Sequence, residues 1–173
     1  MNILLTGSTS PIGKVLLNHL SDFHTVTEIS RTNGWNLNNL ERQHSLIELT
    51  EINDVFINLA HVGFLQGILL EKSLAKINIS FTSLITQFPW SFMKAFNNAD
   101  YISQKLFLEY VHKEVKNNAL ISISKYGNSD NGIPSVTNTQ LCNAVDDVIE
   151  GRSILPTRIE VSNGIGELSL SFF

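Results

Sequence analysis

The sequence predicts an α/β protein in which a doubly wound parallel sheet is covered by helices on both faces, in three layers. Short apolar runs alternate with segments whose apolar residues recur at helical spacing along nearly the whole chain. Strands separated by helices pair in parallel, because the connecting helix returns the chain to the same edge of the sheet. We expect residues 1–173 to form one domain, without a separate substrate domain.

The first third of the chain predicts three strands and two helices. Strands are predicted at 2–6, 25–30 and 54–60, where β-branched and other apolar residues predominate. A helix is predicted at 11–20, where apolar residues share one face, and another at 40–49. Asn and Gly interrupt the segment "RTNGWNLNN", in which only a very short strand is expected, at Trp35–Leu37.

The remainder continues the alternation. One or two helices are predicted within 66–88, and "SFMKAF" (91–96) is predicted as a strand. A helix at 99–118, a strand at 119–124, a helix at 137–150 and a strand at 157–162 follow. We expect the apolar tail "ELSLSFF" to add an edge strand or to meet a partner subunit.

Composition excludes several classes of function. The 173 residues carry a net charge of −4, and no Lys/Arg cluster marks a surface for nucleic acid or anionic lipid. A lone cysteine, Cys142, excludes an internal disulfide, and the five histidines lack metal-ligand spacing. No apolar run approaches the length of a membrane span. We therefore expect a cytoplasmic protein with no metal and no nucleic-acid or membrane partner.

A small-residue loop, "TGSTSPIG" (Thr6–Gly13), joins the first strand to the first helix. A helix N-terminus offers free backbone N–H groups and the positive end of the helix dipole to a phosphate. Gly7 would make the tight turn, and Gly13 would let the helix lie close to the sheet. Parallel-sheet proteins that bind no nucleotide also turn in this way, so both interpretations stand at this point.

A proline in this loop is compatible with phosphate binding. At Pro11 it occupies the first turn of the predicted helix, where its fixed φ suits the helix and its missing N–H has no intrahelical partner to lose. Ser8, Thr9 and Ser10 can supply hydroxyl groups.

The loop resembles the cofactor loop of the short-chain dehydrogenase/reductase superfamily, T-G-x-x-x-G-x-G in compact members and T-G-x-x-G-x-x-G in extended ones. Thr6, Gly7, Ile12 and Gly13 fit both versions. The middle glycine is missing in both, because Pro11 stands at its position in the compact version and Ser10 in the extended one.

Further markers of that superfamily follow in order along the chain. Asn58, Leu59 and Ala60 resemble its N-A-G strand end, with His61 in place of the glycine. Asn78 resembles its asparagine on the next helix, although a helix cap is an equally good interpretation.

The segment "YISQKLFLE" carries Tyr101 and Lys105 in the Y-x-x-x-K arrangement, with Glu109 as in extended members. "SISKYG" (122–127) then resembles the strand end that finishes in Tyr-Gly. The chain thus resembles a shortened member with features of the extended, epimerase/dehydratase-like branch.

The tyrosine and lysine are four residues apart and share one helix face. A neighbouring ammonium is expected to lower the pKa of Tyr101 and make it a usable general acid/base. The resemblance implies this role for Tyr101, with Lys105 also holding the cofactor ribose and Asn78 as an auxiliary.

The serine that the superfamily places on its fifth strand cannot be found at the compact spacing, where Phe88 stands. Ser91 is the nearest hydroxyl upstream of Tyr101, so the sequence predicts that this donor is lost. His61 is a candidate replacement, and a space-filling loop histidine is the alternative.

Cofactor preference is predicted at the end of the second strand. Arg31 follows it, and no acidic residue stands at its tip, which favours NADP(H) over NAD(H). A solvated surface arginine is the alternative. Asn36 and Leu37 resemble the superfamily's pair beside the adenine. The resemblance therefore implies a dinucleotide held by residues 6–13, Arg31, Asn36, Leu37, 58–60 and Lys105.

Three functions remain open from the sequence. The first is an NADP(H)-dependent oxidoreductase acting on a small carbonyl or alcohol. The second is a nucleotide-binding pseudoenzyme or regulator, which the missing serine favours. The third is a non-redox epimerase or dehydratase. By analogy with the superfamily, we expect a homodimer formed through helices at 76–88 and 99–117.

Overall fold

The computed structural model describes residues 1–87, 99–124, 126, 136–162 and 170–171. Seven strands lie in these ranges: β1 (Asn2–Thr6), β2 (Thr25–Ile29), β3 (Val55–Asn58), β4 (Ile77–Ser83), β5 (Asn118–Ile123), β6 (Thr157–Val161) and β7 (Leu170–Ser171). The helices there are α1 (Pro11–Ser21), α2 (Leu40–Glu51), α3 (Leu65–Lys72), α4 (Ala99–Glu114) and α5 (Asn138–Ile149). Two 3₁₀ turns span Arg31–Asn33 and Leu84–Gln87.

The strands form one sheet in the order β2-β1-β3-β4-β5-β6-β7. The first six pair in parallel, and β7 pairs antiparallel to β6. One apolar cluster joins the sheet to α1 and α5, and two others join it to α2, α3 and α4. The predicted three-layer fold and parallel sheet are confirmed, and so is an edge strand within the apolar tail.

The corner between β1 and α1 is closely packed. A Cβ on Gly13 would lie 2.1 Å from the carbonyl oxygen of Gly7, so only glycine fits there. Gly7 itself has φ +74°, a conformation that favours glycine. The helix begins at Pro11, as predicted, and the Ser10 hydroxyl accepts a hydrogen bond from the Gly13 amide at 3.0 Å.

Of the one or two helices predicted within 66–88, α3 is confirmed, but residues 77–83 form strand β4, which the sequence did not predict. Its sequence, INISFTS, alternates apolar and polar residues with the period of a strand. The polar residues are nonetheless buried: Asn78, Ser80 and Thr82 face the layer that contains α4. Both faces of this strand are therefore buried, and its sequence lacks the exposed polar face by which a strand is usually told from a helix.

The very short strand predicted at Trp35–Leu37 is also wrong. This segment is irregular, and the Asn36 side chain accepts a hydrogen bond from the Asn38 amide at 3.2 Å, which bends the chain. Strand β2 is consequently an edge of the described sheet. The strand predicted at 91–96 lies outside the described residues.

None of the described helices combines the length and apolarity needed to cross a bilayer.

Candidate active site

A cavity of about 770 Å³ opens at the edge of the sheet where the parallel strands end. This is where doubly wound folds bind ligands, since loops and helix N-termini converge there. Its described lining residues include Arg31 and Lys105 but no Asp or Glu. In a chain with a net charge of −4, this cavity is therefore locally cationic and suits an anionic ligand.

One end of the cavity is the N-terminus of α1. The amide of Ile12, which lines the cavity, has no acceptor among the described residues, as expected in the first turn of a helix. The Gly13 amide is already capped by the Ser10 hydroxyl, and Pro11 has no N–H. The Ile12 amide and the exposed Thr9 thus remain as donors for a phosphate group.

Several predicted cofactor residues shape this end without lining it. Thr6, Ser8, Pro11 and Gly13 are absent from the described lining. Ser8 is 1% exposed, and its hydroxyl has no partner within the described chain, so the prediction that it faces a phosphate is wrong. Gly7, Thr9, Ser10 and Ile12 do line the cavity.

Thr6 is a structural link between two strands. Its hydroxyl oxygen accepts hydrogen bonds from the amides of Leu59 and Ala60, both at 3.1 Å, and the hydroxyl donates to the Ile57 carbonyl at 3.3 Å. This brings Leu59 and Ala60 to the cavity wall. Asn58, predicted beside them, is fully buried and absent from the described lining.

A second region of the cavity follows β2 and includes Ser30, Arg31, Trp35, Asn36 and Leu37. Arg31 is exposed at the cavity, where it can contact a ligand phosphate. The guanidinium of Arg42 lies 5.3 Å from the centroid of the Trp35 ring, within cation–π distance. This region brings together the three residues predicted for the adenosine end.

The third region contains Tyr101, Lys105 and Ser83, where α4 faces the end of β4. The side chains of Ser83 and Tyr101 are hydrogen-bonded to each other. The sequence predicted that the superfamily's serine is lost, because Phe88 stands at the compact spacing. Ser83, at the end of β4, supplies a hydroxyl group beside Tyr101, so this prediction is wrong. Ser83 lies farther from the tyrosine in sequence than the compact spacing, and the misassigned strand hid it.

Lys105 is buried, at 5% exposure. Its Nζ donates to Gln66 Oε1 at 2.8 Å and to the Phe81 carbonyl at 3.0 Å, and lies 5.7 Å from the Tyr101 ring centroid. Burial lowers the pKa of Lys105 to about 8, and the charge of Glu109 partly opposes this.

The pKa of Tyr101 is raised, contrary to the expected effect of Lys105. Burial disfavours the phenolate, and the hydrogen bond with Ser83 offsets only part of that cost. The lysine ammonium approaches the face of the ring and hydrogen-bonds to Gln66 and the Phe81 carbonyl.

His61 lines the cavity beside Tyr101, with ring centroids 5.1 Å apart. Burial, and then the charge of Lys105, lowers the pKa of His61, so the imidazole is mainly neutral at pH 7. It therefore contributes no fixed charge to the cavity near neutrality.

The prediction that Asn78 assists Tyr101 is wrong, because the structure places Asn78 away from the tyrosine. Asn78 lies fully buried at the start of β4, and Ser83 lies at its end, about 16 Å along the strand. The residue that reaches Lys105 is Gln66, in the first turn of α3. Nothing in the sequence singled out Gln66, because no motif position covers it.

Glu109, on α4, is hydrogen-bonded to residues on both sides of Ser83 and so holds the end of β4 in place. Its carboxylate accepts hydrogen bonds from Thr82, Thr86 and Arg158, the last at 3.0 Å. Glu109, which matches the extended members, is thus a half-buried structural link in this chain, next to the cavity wall that carries Ser83.

Solved structures with this arrangement of elements are similar to the chain at low sequence identity. The oxidoreductase ylbE from Lactococcus lactis has a TM-score of 0.72 at 16% identity, covering 97% of this chain and 93% of that one. A short-chain dehydrogenase/reductase from Veillonella parvula in complex with NADP has a TM-score of 0.68 at 14% identity, covering 94% of each chain.

The chain has a Rossmann-like fold, which it shares with these structures. A nucleoside-diphosphate-sugar epimerase from Staphylococcus aureus shares it, with a TM-score of 0.63 at 13% identity over 95% of this chain and 72% of that one. No family model and no curated protein matches the chain.

The burial of Lys105 predicts a pH dependence of stability. Since its folded pKa of about 8 lies below the ordinary lysine value of 10.5, the unfolded chain binds more protons between these values. Wild-type stability relative to Lys105→Met should therefore rise by on the order of 3 kcal/mol from pH 8 to pH 10.5. Urea unfolding of both proteins across this range measures it, and a constant difference would contradict a neutralised Lys105.

Proposed function

We propose that the chain binds a nicotinamide dinucleotide, NADP(H) in preference to NAD(H), and reduces a carbonyl or oxidises an alcohol. The observation that carries this proposal is the hydrogen-bonded pair Ser83–Tyr101 beside Lys105, at one end of a cationic cavity whose other end is a helix N-terminus. The Veillonella parvula structure, similar over 94% of the chain, is in complex with NADP.

The bound dinucleotide would supply the hydride. In the reductive direction Tyr101 donates its phenolic proton to the substrate oxygen. Ser83 donates a hydrogen bond to that oxygen, and Lys105 offsets the negative charge left on the phenol. In the oxidative direction the proton returns from the alcohol to Tyr101.

The two other functions lose support. The pseudoenzyme hypothesis depended mainly on a missing serine, and Ser83 occupies the position facing Tyr101. The non-redox hypothesis depended on Glu109, which is engaged by Thr82, Thr86 and Arg158. We therefore propose the oxidoreductase alone.

Turnover should depend on both hydroxyl groups. With NADPH and a panel of small carbonyl compounds, Tyr101→Phe should lower kcat at least about 100-fold, and Ser83→Ala about 100-fold, since each removes an oriented donor. Fluorescence titration should give NADPH affinities within about threefold of wild type, because neither group holds the phosphates.

Ser103→Ala is the control for these variants, because its hydroxyl bonds to the Ala99 carbonyl on the exposed side of α4. A wild type that binds NADPH but turns over no compound, with Tyr101→Phe indistinguishable from it, would replace this proposal with the pseudoenzyme. A wild type that binds no dinucleotide would contradict the proposal altogether.

Cofactor preference should depend on Arg31. Arg31→Ala should weaken NADPH binding about tenfold and leave NADH binding nearly unchanged, because only NADPH carries the 2′-phosphate. Arg152→Ala is the control, since Arg152 pairs with Asp147 and lines no described part of the cavity. Titration of both nucleotides measures the ratio, and an equal loss for both would contradict the assignment.

We also propose a homodimer, formed through α3 and α4. The segment 76–88 cannot supply a helix, because β4 lies there, but α3 and α4 pack together and expose Phe64, Ile68, Leu106 and Tyr110.

Sedimentation should give about twice 19.3 kDa, and Leu106→Glu with Tyr110→Glu should give the single-chain mass. Phe23→Glu, an exposed aromatic elsewhere, is the control; a monomeric wild type would contradict the dimer.

A further inference from the structure

The side chain of Gln66 is held in one orientation beneath the cavity. It is 1% exposed; its Nε2 donates to the Asn58 carbonyl at 2.8 Å, and the Asn58 Nδ2 donates to the Gln66 carbonyl at 2.7 Å. Because Nε2 faces a carbonyl, Oε1 faces the other way, toward the Lys105 ammonium at 2.8 Å. The amide is thus fixed by the end of β3 and in turn fixes the lysine.

We propose that Gln66 is a positioning residue: its carboxamide and the Phe81 carbonyl hold the Lys105 ammonium so that its third N–H faces the cavity beside Tyr101. This deepens the proposed function and rests on it for the part that Lys105 plays in proton transfer. Two donors of the ammonium have protein acceptors among the described residues, and the lysine lines the cavity.

A neutral acceptor at this position has a definite electrostatic consequence. A glutamine hydrogen-bonds to the ammonium without neutralising it, whereas a glutamate would form an ion pair. The charged and titratable groups facing Lys105 are Glu109 and Tyr101 on α4 and His61 on the loop after β3. With Glu109 already engaged by Arg158, a neutral Gln66 preserves positive charge at the cavity.

The protonation of Lys105 supports the same assignment. Burial brings the pKa of Lys105 to about 8, which makes its charge sensitive to every neighbouring group near physiological pH. Replacing Gln66 by an anionic or an apolar side chain of similar size should therefore move this pKa in opposite directions. If Gln66 made no hydrogen bond to the ammonium, the apolar replacement would leave this pKa unchanged.

The test measures the titration of Lys105 by NMR of protein labelled with ¹³C at the lysine ε-carbons, with Lys105→Met to assign its signal. Gln66→Glu should raise the pKa by about one unit or more, a tenfold or greater fall in the acid dissociation constant. Gln66→Met should lower it, because the ammonium loses an acceptor.

Gln140→Met is the matched control, since that glutamine bonds to Thr137 in the cap of α5 and lines no described part of the cavity. It should leave the Lys105 titration unchanged. Titration of Lys105 at the wild-type pH in both Gln66 variants would overturn the proposal. If Gln66→Met fails to fold, the nearly isosteric Gln66→Glu still decides it, because an unmoved pKa beside a carboxylate excludes direct contact.

The NMR titration needs no substrate and no nucleotide, so its failure is distinct from failure of the proposed function. If the wild type does turn over carbonyl compounds, the alkaline limb of kcat/KM should shift to higher pH in Gln66→Glu and to lower pH in Gln66→Met. A common fall in kcat with an unmoved limb would assign Gln66 a structural role only and contradict positioning.

Discussion

The close approach of α1 to the turn after β1 is the constraint on which the site depends. Gly13 lies so near the Gly7 carbonyl that a Cβ would meet it at 2.1 Å, and a Cβ on Gly7 would meet the Ala60 backbone at 3.0 Å. These glycines are therefore required by the packing of the chain on itself, whether or not a ligand is present. The same packing sets the helix N-terminus at the cavity, and the Thr6 hydroxyl holds Leu59 and Ala60 in its wall.

The opposite end of the cavity is set by a polar layer between the sheet and α4. Glu109 accepts from Thr82 and Thr86, on either side of Ser83, and from Arg158 on β6. The Glu109–Arg158 ion pair is only partly buried, so removing one partner should cost less than the about 3–5 kcal/mol typical of a fully buried pair. This network thus ties the turn that carries Ser83 to the helix that carries Tyr101, and so supports their hydrogen bond.

The sequence predicted correctly those features whose structure follows from the residues next to them in the chain. The loop at 6–13, helix α1 and the shared face of Tyr101 and Lys105 follow from glycine spacing, a proline position and a four-residue interval. The prediction was wrong at β4, because the polar residues that alternate along this strand are buried against α4 and do not form a solvent-exposed face. That error displaced Asn78 onto a helix and concealed Ser83. Gln66 could not be found, because its role depends on a contact with Lys105 across 39 positions.

Protonation states at pH 7 make Tyr101 a proton donor, which is what the proposed reaction requires in its reductive direction. Tyr101 keeps its proton, since burial raises its pKa, and His61 is mainly neutral, since burial and Lys105 lower its pKa. Lys105, with a pKa of about 8, places its ammonium 5.7 Å from the centroid of the Tyr101 ring. When Tyr101 loses its proton, burial makes the phenolate unfavourable, and the positive charge of Lys105 stabilises it. This stabilisation is lost when Lys105 deprotonates. The resting site is therefore a proton donor beside a cation, and its donor strength depends on the charge of one lysine.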